Sequence, residues 1–302
     1  MGDTGNYVLH VWPGKWNLAS FDPLCLASVL YLQYTLRGKY SIVECVSADS
    51  SPAGVLPVLF HNSKTICPLS ALLKYHPSSN ELDAFLSPSE RAKATAMAAH
   101  AESSLGDLVA HIQFAQEANW RELVNPSLAA SYSFPQHFYA PSRLRASFRS
   151  RLEAAELWVT EGEEVEKDTH ESSFKASLPH KPTLPDLKAK RHDRFLRVFE
   201  REKVMEKARS TLEIYARLLG SNQFFFGDSR VSSLDFVVAA HVLLIIQPPY
   251  PDRLIKDNLL KSFPQLRDHA EMIHHICFPE TTSLPPTTQQ SFSFLSLFPW
   301  IL

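Results

Sequence analysis

The chain has 302 residues, 45% of them hydrophobic and 21% charged, enough apolar material for a sizeable core and, as a soft prior, for about two domains. Its formal net charge of −2 gives no electrostatic case for nucleic acid, and Cys25, Cys45, Cys67 and Cys277 are too scattered for a disulfide framework or a zinc site, which suits a reducing compartment. No window reaches the roughly 18–20 apolar residues of a membrane span. The opening MGDTGNYVLHVW lacks the basic region of a signal peptide and the arginine-rich face of a transit peptide, and has Asn6 where myristoylation wants Ser or Thr.

YVLHVW, residues 7–12, is a short apolar run expected as a strand. The loop PGKWNLASFD follows, and Asp22 or Ser20 can cap a helix PLCLASVLYLQYTL with Pro23 in its first position. KYSIVECVS, rich in β-branched residues, supplies a second strand. After a Ser/Pro/Gly loop, VLPVLF, the turn HNSK and TI read as a hairpin entered through a proline, and PLSALLKYH as a short helix. The order is β-α-β-β-β-α over residues 1–80.

From Ser87 the character becomes helical. Ser87, Pro88 and Glu90 offer a capping box, and residues of helical composition run without proline to about Asn119. PSLAASYSFPQHFYAPSR holds three prolines and cannot be one helix, whereas RLRASFRSRLEAAELW can, with Leu144, Phe148, Leu152 and Ala155 on one face. Residues 160–189 are acidic, then proline-rich and basic, with no hydrophobic period, and are expected as an exposed or disordered insertion. From Phe195 to Leu219 apolar residues step at three or four, the period of one long amphipathic helix.

FFFGDSRVSSLDFVVAAH, residues 224–241, carries the sharpest helix start. With Ser232 as N-cap, its hydroxyl accepts from the Asp235 N–H while the Asp235 carboxylate reaches back to the Ser232 N–H, and Val231 and Phe236 close a hydrophobic staple. Gly227 and Asp228 form the turn before it, since one glycine cannot build the nest a phosphate needs. The helix ends before Pro248-Pro249, two shorter helices follow at about 252–261 and 264–276, and residues 277–302 read as an apolar tail.

Few residues invite chemistry. Ser20 fits a cap or loop hydrogen bond, Cys25 a buried small hydrophobe, and His269 and His274 are five apart, off the spacing that aligns two metal ligands. No catalytic residue, cofactor site or metal site is expected. Arg143, Arg145, Arg149 and Arg151 form a solvated helix face or a contact for acidic lipid headgroups or an acidic partner loop. Phe292, Phe294, Leu295, Leu297, Phe298 and Trp300 in the tail need cover from the body, a partner or a membrane interface.

A βαβββα domain followed by an all-α domain at 87–276 with a late Ser-x-x-Asp box, here Ser232 and Asp235, resembles the glutathione-transferase fold, an α+β class. In that superfamily the residue before the hairpin is a cis proline, which would be Pro57. LHVWPGKWNLASFDPLCLASVLYLQ, FPQHFYAPSRLR and FFFGDSRVSSLDFVVAAHVLLI resemble more closely the metaxin family and its fungal relatives in the mitochondrial sorting and assembly machinery. The resemblance implies a non-catalytic, membrane-associated subunit on the cytosolic face of the mitochondrial outer membrane. It would assist insertion and release of β-barrel precursors beside a BamA-type barrel subunit and a second metaxin-like chain. The alternative is a glutathione-transferase-like enzyme or glutathione-binding protein. Against it, aligning LPVLFHNSKTICPLSALLKY with that superfamily places Pro68-Leu69 where the acidic-Ser pair that holds glutathione belongs, with Ser70 one residue away.

Overall fold

Tyr7, Leu9 and Val11 are buried while Val8 and His10 are not, the period of two that sets β1 (Tyr7–Val11) in the middle of a sheet. The computed structural model describes residues 7–48, 51–75, 82–158, 184–279 and 285–289. β1 runs parallel to β2 (Ser41–Glu44) and antiparallel to β3 (Val58–His61), which turns through Asn62, at positive φ, into β4 (Lys64–Ile66). The Leu56–Pro57 bond before β3 is cis. α1 (Pro23–Leu36) starts at Asp22, whose carboxylate accepts from the Cys25 N–H at 2.9 Å, and α2 (Leu69–Leu73) follows the hairpin. This is the thioredoxin-like βαβββα unit.

The sheet also has a fifth strand, which the sequence pattern does not predict. β5 (Thr287–Gln289) is three exposed polar residues, too short and too polar to show any period, lying within the stretch that reads as apolar tail. It pairs parallel to β2, Ile42 with Thr287 and Glu44 with Gln289, and the Ile42 N–H donates to Pro286 O at 2.9 Å. The chain therefore returns from the helical domain to cover the β2 edge, which would otherwise present unpaired backbone groups.

The helical domain opens with the Ser87 capping box: Ser87 Oγ accepts from the Glu90 N–H at 3.3 Å and Glu90 Oε2 from the Ser87 N–H at 2.8 Å. α3 (Pro88–His100) continues through a π-helical turn (Ala101–Leu105), α4 (Gly106–Ala110) and a second π turn (His111–Ala115). It stops short of Asn119, because Gln116 is extended at ψ 112°. Tertiary partners take over the carbonyls freed there. The buried Asn119 amide donates to Ile112 O at 3.1 Å while its oxygen accepts from the Asp252 N–H at 2.8 Å, and Arg145 Nε donates to Phe114 O at 2.7 Å. None of those contacts is visible in helical composition.

α5 (Glu117–Asn119), a further π turn (Trp120–Val124) and α6 (Asn125–Ala129) lead through a proline-bearing turn to α7 (Ala140–Ala154). α8 (Leu184–Leu219) begins inside the expected insertion, whose remainder lies outside the described residues. Pro185 suits the first turn of a helix, and DLKAKRHDR has good helix formers and no glycine or proline, so a missing apolar period does not mean loop. α9 (Ser233–Ile246) is buried along its whole length, as a helix apolar on every side must be. It packs on α1, on α3 and on α11 (Pro264–Cys277), beside α10 (Leu254–Ser262).

Truncating Asn119 to Ala should leave the Asp252 N–H and the Ile112 carbonyl without partners in a dry site. A loss of about 1–3 kcal/mol is expected, measured as a lowered urea midpoint at unchanged m-value.

Candidate functional site

The junction between β1 and α1 is where a transferase of this fold activates a thiol. Here Ser20 is fully buried, and its Oγ accepts from the Asp22 N–H at 3.2 Å. Asp22 is spent on the cap, and burial raises its carboxyl pKa against the hydrogen bonds that lower it. Cys25 has no exposure, and burial, with the Asp22 charge beside it, pushes its thiol well above the usual range. Past the hairpin, Leu69 is packed in the core, Pro68 makes no side-chain hydrogen bond at the start of α2, and Ser70 faces solvent. Ser20, Asp22, Cys25 and Leu69 are thus occupied in folding, and of the residues after the hairpin only Ser70 offers a polar side chain to solvent.

Between the two domains lies a small cleft bounded by Phe21, Asp22, Glu102, Gln113, Phe148 and Arg151. Its volume of about 50 Å³ is room for a water or two, far below the several hundred Å³ of a ligand pocket. Gln113 closes one side by donating to Phe21 O at 3.1 Å. Arg151 closes another, donating to Asp107 Oδ1 at 2.6 Å and to the carbonyls of Glu102 and Ser103 at 3.2 and 3.3 Å. Gly106 allows that approach: a Cβ there would sit 3.2 Å from Arg151 Nη2 and 3.7 Å from His241 Nε2. His241 is fully buried and donates from Nδ1 to Val237 O at 2.7 Å, and burial lowers its pKa from 6.5 to about 4.

The start of α9 holds the densest polar cluster. The reach-back half of its capping box forms: Asp235 Oδ2 accepts from the Ser232 N–H at 2.8 Å, and the Ser232 hydroxyl donates to the same oxygen at 2.6 Å. Asp235 Oδ1 accepts from the Phe225 N–H at 3.0 Å and from His269 Nε2 at 2.8 Å. One buried carboxylate thus joins the FFFGDS loop, α9 and α11. Gly227, at φ 114°, takes the loop through its turn, and Asp228 Oδ1 closes it by accepting from the Gln223 N–H at 2.6 Å. A second carboxylate comes from the interdomain linker. Asp83 accepts from the Ser233 N–H at 2.9 Å and from its hydroxyl at 2.5 Å. A sequence pattern marks Ser232 and Asp235; the reach of Asp83 across 150 positions and the partnership with His269 have no local signature.

The arginines of α7 divide. Arg145 is paired with Glu117 at 2.7 Å and lies over the rings of Trp120 and Trp158. Arg149 pairs with Glu153 and Arg151 with Asp107, while Arg143 is exposed and forms no ion pair among the described residues. The tail residues Phe292, Phe294, Leu295, Leu297, Phe298 and Trp300 lie outside the described residues. Among the described residues no cluster of three or more potential metal ligands occurs, and no helix is long and apolar enough to cross a membrane.

Two family models match the chain: "Outer mitochondrial membrane transport complex protein" over residues 25–145 and "Glutathione S-transferase, C-terminal domain" over 208–273. Metaxin-1 of Macaca fascicularis is 25% identical over 284 residues, covering 93% of this chain and 78% of that one. Metaxin-3 of Xenopus laevis is 24% identical, covering 89% and 74%. Among solved structures, the glutathione S-transferase of Ceriporiopsis subvermispora, crystallised with glutathione, superposes with a TM-score of 0.55 at 16% identity, over 90% of this chain and 97% of that one. The likenesses give the chain a glutathione-transferase-like fold and make it similar to metaxin-type proteins.

Asp235→Ala strands four buried donors and should cost about 3–5 kcal/mol, against about 0.5–2 kcal/mol for Ser232→Ala. In chemical denaturation the double variant should lose less than the sum, because both side chains act through one carboxylate. Isothermal titration with glutathione should show no saturable micromolar binding, and a model electrophile should not be turned over. Binding with turnover would mean that the buried Leu69 had not removed the ligand's anchor.

Proposed function

We propose that this metaxin-related chain is a non-catalytic subunit of a transport complex of the mitochondrial outer membrane. It sits on the cytosolic face, where it assists insertion and release of β-barrel precursors beside a BamA-type barrel subunit and a second metaxin-like chain. A role tied to outer-membrane transport is supported by the family match and by the metaxin relatives. The observation that carries the reading is that match over residues 25–145, because it runs from the first domain into the second and includes the position where the fold would hold glutathione and this chain has the buried Leu69. Catalysis would need a free nucleophile or a polar anchor there. Ser20 and Cys25 are buried, and Leu69 is core.

A subunit of this kind works by holding surfaces in place. The two domains share α9 as a common core, so faces on each are presented in fixed relation, as a docking protein requires. The expected result is that affinity purification from mitochondria in mild detergent recovers a β-barrel core subunit and a second metaxin-like chain in stoichiometric amount. A chain that elutes alone, indifferent to detergent, would contradict the reading.

A further inference from the structure

The turn between α6 and α7 exposes more aromatic surface than any other described segment. Phe134 is 78% exposed, Phe138 71% and Tyr139 43%. The rings are already assembled: Phe134 meets Phe138 edge-on at 6.1 Å between centroids, and His137 lies 3.8 Å from Phe138 and 6.1 Å from Phe134. Such a cluster in water is unfavourable unless something covers it.

The backbone beneath the rings is largely closed on itself. Ser131, Tyr132, His137, Phe138 and Tyr139 donate to carbonyls three or four residues back at 2.8–3.2 Å, and Pro135 and Pro141 have no N–H to satisfy. A turn with most of its donors engaged can leave water at little cost, the condition a non-aqueous interface imposes. Charge points to the same surroundings. From residue 123 to residue 152 there is no Asp or Glu, while Arg143, Arg145, Arg149 and Arg151 all fall there. The last three are engaged in ion pairs, and Arg143, one turn beyond Tyr139, is the exposed one without such a pair among the described residues. Apolar rings at the apex with a cation behind them match the aromatic and basic layers of a bilayer interface.

We propose that Phe134, Phe138 and Tyr139, backed by Arg143, form an interfacial anchor that inserts among the headgroups of an anionic lipid bilayer. The inference deepens the reading as an outer-membrane subunit, on which it rests for the presence of a bilayer, and it assigns the face turned toward the lipid. It differs from a protein docking site in its demand for anionic lipid and in the absence of any single complementary partner.

The test uses the full chain and vesicles of phosphatidylcholine, with and without roughly one-fifth phosphatidylserine. Co-sedimentation should be stronger on the anionic vesicles. Phe134→Ser/Phe138→Ser should weaken it about tenfold or more, and Arg143→Glu should weaken it only where phosphatidylserine is present. All three positions are exposed, and unchanged circular dichroism checks that the variants fold. Because the tail could hold the chain on vesicles by itself, Phe138→Trp supplies a local readout. Relative to the parent chain, its added emission should be quenched by brominated phospholipid. If that added emission stays unquenched in vesicle-bound protein, the proposal is overturned. A serine variant that keeps its lipid binding while losing co-purifying proteins would overturn it too, by making the turn a protein contact. Loss of co-purification in the parent chain, with quenching intact, would instead sink the subunit reading and leave the anchor standing.

Discussion

A carboxylate shut away from water must be surrounded by donors, and Asp235 is placed where four of them converge. The need comes from the helix behind it. α9 is buried at every residue, so the first N–H groups of its N-terminus cannot turn to solvent, and side chains must satisfy them. Its own Asp235 and the linker's Asp83 share that task, and negative charge at a helix N-terminus is favoured in addition. The consequence is architectural. Asp83 lies between the domains, α1 belongs to the first and α11 to the second, and all three bear on α9. Cys277, donating to Leu30 O at 3.4 Å, adds a further tie between α11 and α1, and Asn119 with Asp252 braces the helical domain itself.

With that frame intact, residues at the first strand–helix junction and after the hairpin are drawn into folding contacts. Ser20, Asp22 and Cys25 hold a helix start; Leu69 fills core; Arg151 and Gln113 brace a cleft too small for a tripeptide. Ser20, Asp22, Cys25 and Leu69 are committed to neighbours, while Ser70 faces solvent. What the molecule offers instead is surface. The aromatic turn before α7 and the arginine beside it stand outside a body whose own polar groups are largely paired.

Much of the frame is readable from local patterns. Caps at Asp22, Ser87 and Ser232, the proline before the hairpin, and the uninterrupted apolar run of α9 are features whose physics acts over four or five residues, so short windows contain them. Local patterns mislead where long-range partners decide. The break at Gln116 depends on Asn119 and Arg145 meeting carbonyls from other elements, and β5 exists because β2 has an open edge, not because TTQ favours a strand. The start of α8 at Leu184 is hidden because polar helix formers carry no apolar period. The arginine cluster is legible as charge, but only the packing separates Arg143 from Arg145, which lies over two tryptophans. Phe134 and Phe138 look like any core aromatics until their exposure is known.

The carboxylates at the head of α9 lock two domains into one cooperative scaffold. Native-state hydrogen exchange tests this most directly, through the amides of Phe225, Ser232 and Ser233, which donate to Asp235 and Asp83. If the clamp is integral, these amides exchange only by global unfolding, with the same protection and denaturant dependence as the core amides of α1 and α9. Exchange through a local opening several kcal/mol cheaper than global unfolding, with α1 and α9 still protected, would show that the scaffold does not depend on the clamp.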